Sequence, residues 1–254
     1  MHFAETEIGR LLDAFPRLRR RPAHQPGIAI LEGFVEFEAS PPGMPTIIDE
    51  YRVRIVVPLV ASSEPPKAYE LGGRIPRAAD SHVNPDGDLC LGSPIRVLAV
   101  LGLRPTLVAF VDKCLVPFLY AASWREQGLQ GFPFDELAHG AAGLVEDYGK
   151  LFSIEGRERV AYALLLLAKR KRVANKMICP CGCGLRLAKC KVHASLLAFR
   201  HLAPRSFYRR QAEVVLQAGS PLKNISKRAA QCPLKVRSVR TRHPLLLGLA
   251  NLLS

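Results

Sequence analysis

Two short segments of this chain concentrate side chains able to do chemistry. The first is His82-Val83-Asn84-Pro85-Asp86-Gly87-Asp88-Leu89-Cys90-Leu91-Gly92, with one histidine, one asparagine and one cysteine within nine residues. A thiol can attack a carbonyl and carry the acyl group, and a side-chain amide can stabilise the resulting oxyanion. Asn84, Asp86, Gly87 and Asp88 favour tight turns that would present Cys90 on a shelf. Read blandly, Cys90 is a small buried residue, and His82 and Asn84 are turn formers. The second segment runs from Cys179 to His193 and holds Cys179, Cys181, Cys183, Cys190 and His193. In a chain whose N-terminus (MHFAETEIGR) lacks an apolar signal region, a metal is expected there before a disulfide. Tetrahedral zinc takes four thiolate or imidazole ligands, and two close pairs across a short loop can supply them.

Charge separates the two segments. The 254-residue chain carries 36 Lys+Arg against 22 Asp+Glu, a net +14. Residues 1–155 come to −5 and residues 156–254 to +19, with Glu158 and Glu213 the only acids of the second part. Such a break predicts two units with different partners. With 48% apolar residues, a packed core is expected and wholesale disorder is excluded. The apolar runs 161–168 and 245–253 are too short to span a bilayer, so a cytoplasmic protein with no membrane partner is expected.

The elements that would position Cys90 form an α+β unit. Ile8, Leu11, Leu12, Phe15 and Leu18 predict an opening helix over 6–21. Gly27 to Phe37, Ile47 to Val60 and a weaker run around Tyr69 to Ile75 predict strands. An irregular loop over 76–96 follows, then buried helices at 101–119 and 138–152. Cys114 and Trp124 read as core residues, and His139 as a cap or core residue at the second helix start. In the second unit, a helix over 156–172 ends in Lys169-Arg170-Lys171-Arg172, and short basic helices follow at 195–202 and 207–217. Residues 218–254 contain no acid and no sustained periodicity, which predicts a flexible tail with Cys232 a free thiol.

The first segment resembles the active-site region of ubiquitin-conjugating enzymes, which reads His-Pro-Asn, a short variable stretch, then Gly-x-x-Cys-Leu after a proline-rich loop. Glu64-Pro65-Pro66 is similar to that loop, His82-x-Asn84 to the His-Pro-Asn element, and Gly87-x-x-Cys90-Leu91 to the cysteine element. Val83 stands in place of the proline, and the stretch between Asn84 and Cys90 is two residues shorter than in eukaryotic members. The resemblance covers residues 1–153 and is greatest to the divergent prokaryotic branch. It implies that Cys90 accepts a ubiquitin-like protein from an activating enzyme and passes it to an amine of a protein target. Asn84 would then stabilise the oxyanion directly or by ordering the loop. His82 would bond loop backbone or act as an acid/base. By family analogy the setting would be a bacterial conjugation system, some of which serve antiviral defence.

The second segment resembles the SEC-C zinc motif found at the C-terminus of the SecA translocase. The resemblance sets Cys179, Cys181 and Cys190 on the first three ligand positions and His193 on the fourth, with Cys183 an unused thiol or a substitute ligand. Four protein ligands would make the zinc structural. The resulting organisation is residues 1–153 for the conjugating-enzyme-like domain, 154–176 for a basic linker helix, 177–217 for the zinc module and 218–254 for the tail. The other reading is a catalytically silent relative, a zinc-containing module that binds protein, nucleic acid or another acidic surface through its basic half.

Overall fold

The computed structural model describes residues 3–59, 64–129 and 140–217. The expectations for His139 with residues 138–139 of its helix, for Val60, and for the tail with Cys232 lie outside the described residues.

The chain opens on α1 (Glu5–Ala14), which buries Ile8 and Leu11. The helix predicted to run to residue 21 stops there. Pro16 disfavours a helical conformation at Phe15, and the chain leaves as β1 (Leu18–Arg21) instead. β2 (Ile28–Ala39) and β3 (Ile47–Pro58) form a long hairpin, and β4 (Lys67–Glu70) completes an antiparallel sheet in the order β1-β2-β3-β4. Tyr51, Val53, Ile55 and Val57 alternate inward along β3, and Leu31 and Val35 face the same core from β2. Gly33 has no substitute: a Cβ there would sit 2.0 Å from the Arg17 carbonyl oxygen, where β1 begins.

The helix predicted over 101–119 starts later and runs further, and a separate helix precedes it. α2 (Pro94–Leu101) is capped by the Ser93 hydroxyl and ends at Gly102, whose φ of 68° closes it. After a turn capped by Thr106, one continuous helix runs from Leu107 to Glu126 as α3 (Leu107–Phe110), a π turn at Val111–Leu115 and α4 (Val116–Glu126). Pro117 lacks an amide hydrogen, which is consistent with the wider turn just before it. These 20 residues are long and apolar enough to cross a membrane by length and composition. In the fold, Phe110, Val111, Leu115, Leu119 and Tyr120 are buried in the core shared with the sheet.

α5 (Gly140–Phe152), α6 (Arg157–Leu167), α7 (Lys171–Ala174), α8 (Val192–Phe199) and α9 (Arg205–Gln217) build a second core. The helix predicted over 156–172 is broken at 168–170 into α6 and α7. α6 buries Val160, Ala161, Ala163, Leu164, Leu166 and Leu167, so it is a central helix of this core rather than a spacer. α5 also belongs here, through Tyr148 and Phe152. The packing boundary therefore precedes α5, while the charge boundary follows it. α2 serves both cores: Val97 and Leu101 face the sheet side, and Ile95 and Leu98 face the helical side.

Candidate functional site

The region predicted as an irregular loop carries a small hairpin. After a 3-10 turn at Ala79–Ser81, Val83 and Leu89 form an antiparallel bridge. The Leu89 amide donates to the Ala68 carbonyl (2.8 Å), which fixes this hairpin to β4. Gly87, at φ 86°, makes the tip, where its amide donates to Asn84 O at 2.8 Å. His82 has a left-handed φ of 54°, and its carbonyl accepts the Cys90 amide at 2.7 Å. The backbone of His82 thus takes part in presenting Cys90.

Cys90 is half-buried and borders a cavity of about 870 Å³. The walls come from Ser40 and Pro41 after β2, Ile75 and Pro76, His82, the start of α2, and the α3–α4 helix including Cys114. Burial pushes the Cys90 thiol above its ordinary value; the Gly92 amide N–H opposes this, and Asp88 and Asp147 add to it. Cys114 is buried, and its thiol is pushed up to about 12 by desolvation, which makes it the inert member of the pair. Asn84 does not border the cavity. Its Nδ2 donates to Asp88 Oδ2 at 3.1 Å, and Lys67 Nζ lies 3.8 Å from the same oxygen.

Beneath α2, the buried Asp147 of α5 accepts hydrogen bonds at Oδ1 from Arg96 Nε (2.9 Å) and Arg96 Nη2. Arg96 also borders the Cys90 cavity. This pair links the turn that follows Cys90 to the second core. Residue spacing alone does not reveal it, because the partners are 51 positions apart. The only sequence cue is an acid on the otherwise apolar side of α5.

At the far end of the second core, Ile178 and Arg186 bridge antiparallel. The Cys179 amide donates to Leu185 O, and the Leu187 amide to Met177 O, each at 2.8 Å. Gly182 (φ 85°) and Gly184 (φ 75°) turn the chain back within this knuckle. The sulfurs of Cys179, Cys181, Cys183 and Cys190 lie within 4.8 Å of one another, a group that can hold a metal ion such as zinc. Cys179 and Cys181 are 3.3 Å apart, and Cys181 and Cys190 3.5 Å. Backbone amides point at the sulfurs: Cys181 N–H toward Cys179, Cys183 N–H toward Cys181 and Val192 N–H toward Cys190. Burial raises the Cys179 and Cys181 thiols. At Cys190 burial acts the same way but is outweighed by the Val192 amide and the neighbouring thiols, which hold this thiol below its ordinary value.

The fourth sulfur of this group is that of Cys183, where the sequence reading set His193. The glycines on either side of Cys183 fold it back over the site. His193 lies in the first turn of α8, its amide bonded to Cys190 O (3.0 Å), and it is not one of the converging donors. Its Nε2 is buried without a hydrogen-bond partner among the described residues.

Searches of protein-family models, curated proteins and solved structures match this chain to none of them.

Proposed function

We propose that the protein is a thioester-forming carrier of the ubiquitin-conjugating type, with Cys90 as the acceptor thiol and a structural zinc in the cysteine knuckle. The observation that carries this reading is the placement of Cys90. A hairpin anchored to the sheet edge presents it on a cavity wall, with the Gly92 amide directed at its sulfur. The sequence similarity at Gly87-x-x-Cys90-Leu91 and the helix–meander–cysteine loop–helix order support the family assignment. In the reaction, the Cys90 thiolate attacks the thioester that joins a ubiquitin-like C-terminus to its activating enzyme. A new C–S bond forms, the old one breaks, and the departing thiolate takes up a proton. A target amine later displaces Cys90 to give an amide.

The zinc would be held by Cys179, Cys181, Cys183 and Cys190, all as thiolates. Four sulfur ligands leave no open position, so its contribution is to stability. Incubation with ATP, the cognate activating enzyme and its ubiquitin-like partner tests the carrier role. The wild type is expected to form an adduct cleaved by thiol reductant, and Cys90→Ala to form none. An equal adduct on both proteins would contradict the assignment.

The basic half supports a second reading, in which the chain binds a polyanion. Lys169, Arg170, Lys171, Arg172, Lys176, Lys189, Arg205 and Arg209 are exposed or half-exposed around the helical core. Binding to a duplex driven by these cations weakens steeply with salt; salt-independent binding, or none, removes this reading.

A further inference from the structure

Resting on the carrier reading, we infer that Arg96 is the catalytic electrophile of the Cys90 site and that Asp147 is its positioning residue. Any acyl transfer at Cys90 passes through a tetrahedral oxyanion, which needs a fixed donor facing the oxygen on which the charge develops. Asn84 is the side-chain amide that the loop sequence offers. Its Nδ2 is turned into the hairpin onto Asp88, and the residue does not border the cavity. Arg96 does border it, in the first turn of the helix that begins four residues after Cys90. Its side chain runs along Gly92, where Cδ lies 3.6 Å from the position a Cβ would take. The Gly92 amide in turn points at the Cys90 sulfur.

The guanidinium is held by Asp147. Nε and Nη2 both donate to Asp147 Oδ1, whose residue is 0% exposed. Nη1 makes no hydrogen bond among the described residues, so two N–H donors remain for a ligand. Asp147 Oδ2 is buried and likewise without a partner. A buried carboxylate left half-satisfied in a packed core is costly, and its orientation of Arg96 gives it a function that a purely structural pair would not need.

The amine nitrogen attacks the thioester carbon, a C–N bond forms, and the carbonyl π pair moves to oxygen, where Arg96 Nη1 donates to it. The pair returns, the C–S bond breaks, and Cys90 leaves as a thiolate. The proton lost by the amine nitrogen passes to solvent or to the thiolate.

The test uses full-length protein acylated by a synthetic N-acetyl-Gly-Gly thioester of mercaptoethanesulfonate, with free lysine as acceptor and intact-mass detection. Cys90→Ala gives the background from the other thiols. Arg96→Gln is expected to slow discharge to lysine by about 100-fold or more, as for loss of an oxyanion donor. Arg96→Lys should recover part of that rate, since it keeps the charge and loses the fork. Asp147→Asn should give an intermediate rate while Arg96 is retained. Arg96→Gln paired with Asp147→Asn leaves no buried charge unpaired, so a folded protein with slow discharge also supports the assignment. Acylation of wild type with unchanged discharge in the folded Arg96 variants overturns this inference alone. Failure of wild type to acylate above the Cys90→Ala background overturns the carrier reading, and this inference with it.

Discussion

At the residue scale, the proposed chemistry depends on a thiol that burial pushes above its ordinary value. Such a thiol is a strong nucleophile once ionised, because nucleophilicity rises with pKa. The Cys90-specific alkylation rate, wild type minus Cys90→Ala, should therefore climb with pH to a midpoint above that of free cysteine. Replacing Asp88 with Asn removes a like charge and should lower that midpoint. The knuckle makes a separate prediction. Zinc analysis should find about one metal per chain. Cys183→Ala should weaken zinc by more than the ~10–100-fold that an outer-shell partner typically costs, while His193→Ala should leave its stoichiometry intact. Equal loss in the two variants would restore histidine to the ligand set. The sequence showed these five donors at once, but not which four converge. That choice was made by the left-handed turns at Gly182 and Gly184, whose combined effect spacing does not display.

At the element scale, β3 was legible from its partial alternation because one face is buried, and β2 from its β-branched and aromatic run. The differences came where a short-range breaker competed with an apolar pattern: Pro16 ending α1, and Gly102 with Pro105 keeping residues 102–106 out of the helix predicted over 101–119. A cross-element network then fixes the cavity rim. Arg74 binds the Asp49 carboxylate at 2.9 and 2.7 Å and stacks 4.0 Å over the Tyr51 ring. Ser123 donates to Asp49 at 2.6 Å and pairs with Tyr51 at 3.1 Å. The Arg74 guanidinium, opposed by burial and aided by Ser123, holds Asp49 down to about 2. A depressed carboxyl stabilises the fold above its unfolded pKa and loses that contribution as pH falls through the folded value. Stability should thus drop by on the order of 2 kcal/mol between about pH 4 and pH 2 on this account alone. In denaturant titrations Asp49→Asn should flatten that part of the profile; an unchanged slope would rule the network out as its source.

At the scale of the whole molecule, the charge division read from the sequence does not coincide with the packing division. Acidic and basic residues report surfaces, whereas the cores are set by buried side chains, and α5 lies on the acidic side of the charge boundary while packing into the core of the basic half. Because α2 contributes Ile95 and Leu98 to one core and Val97 and Leu101 to the other, the cysteine loop and the knuckle share one helical framework. Leu98→Ala should cost about 2–5 kcal/mol of stability in chemical denaturation. It should also slow Cys90 acylation, although the residue is outside the cavity. A stability loss with no change at Cys90 would mean the two halves act independently.

The central claim is that Cys90 carries an acyl group as a thioester, and the bond type at that position tests it most directly. With activating enzyme, ATP and the ubiquitin-like partner, peptide mapping of the wild-type adduct should place it on Cys90 and show it released by thiol. Cys90→Ser should convert it to an oxyester that resists thiol and yields to base. An adduct mapped to another residue, or unchanged in lability by this substitution, would contradict the account.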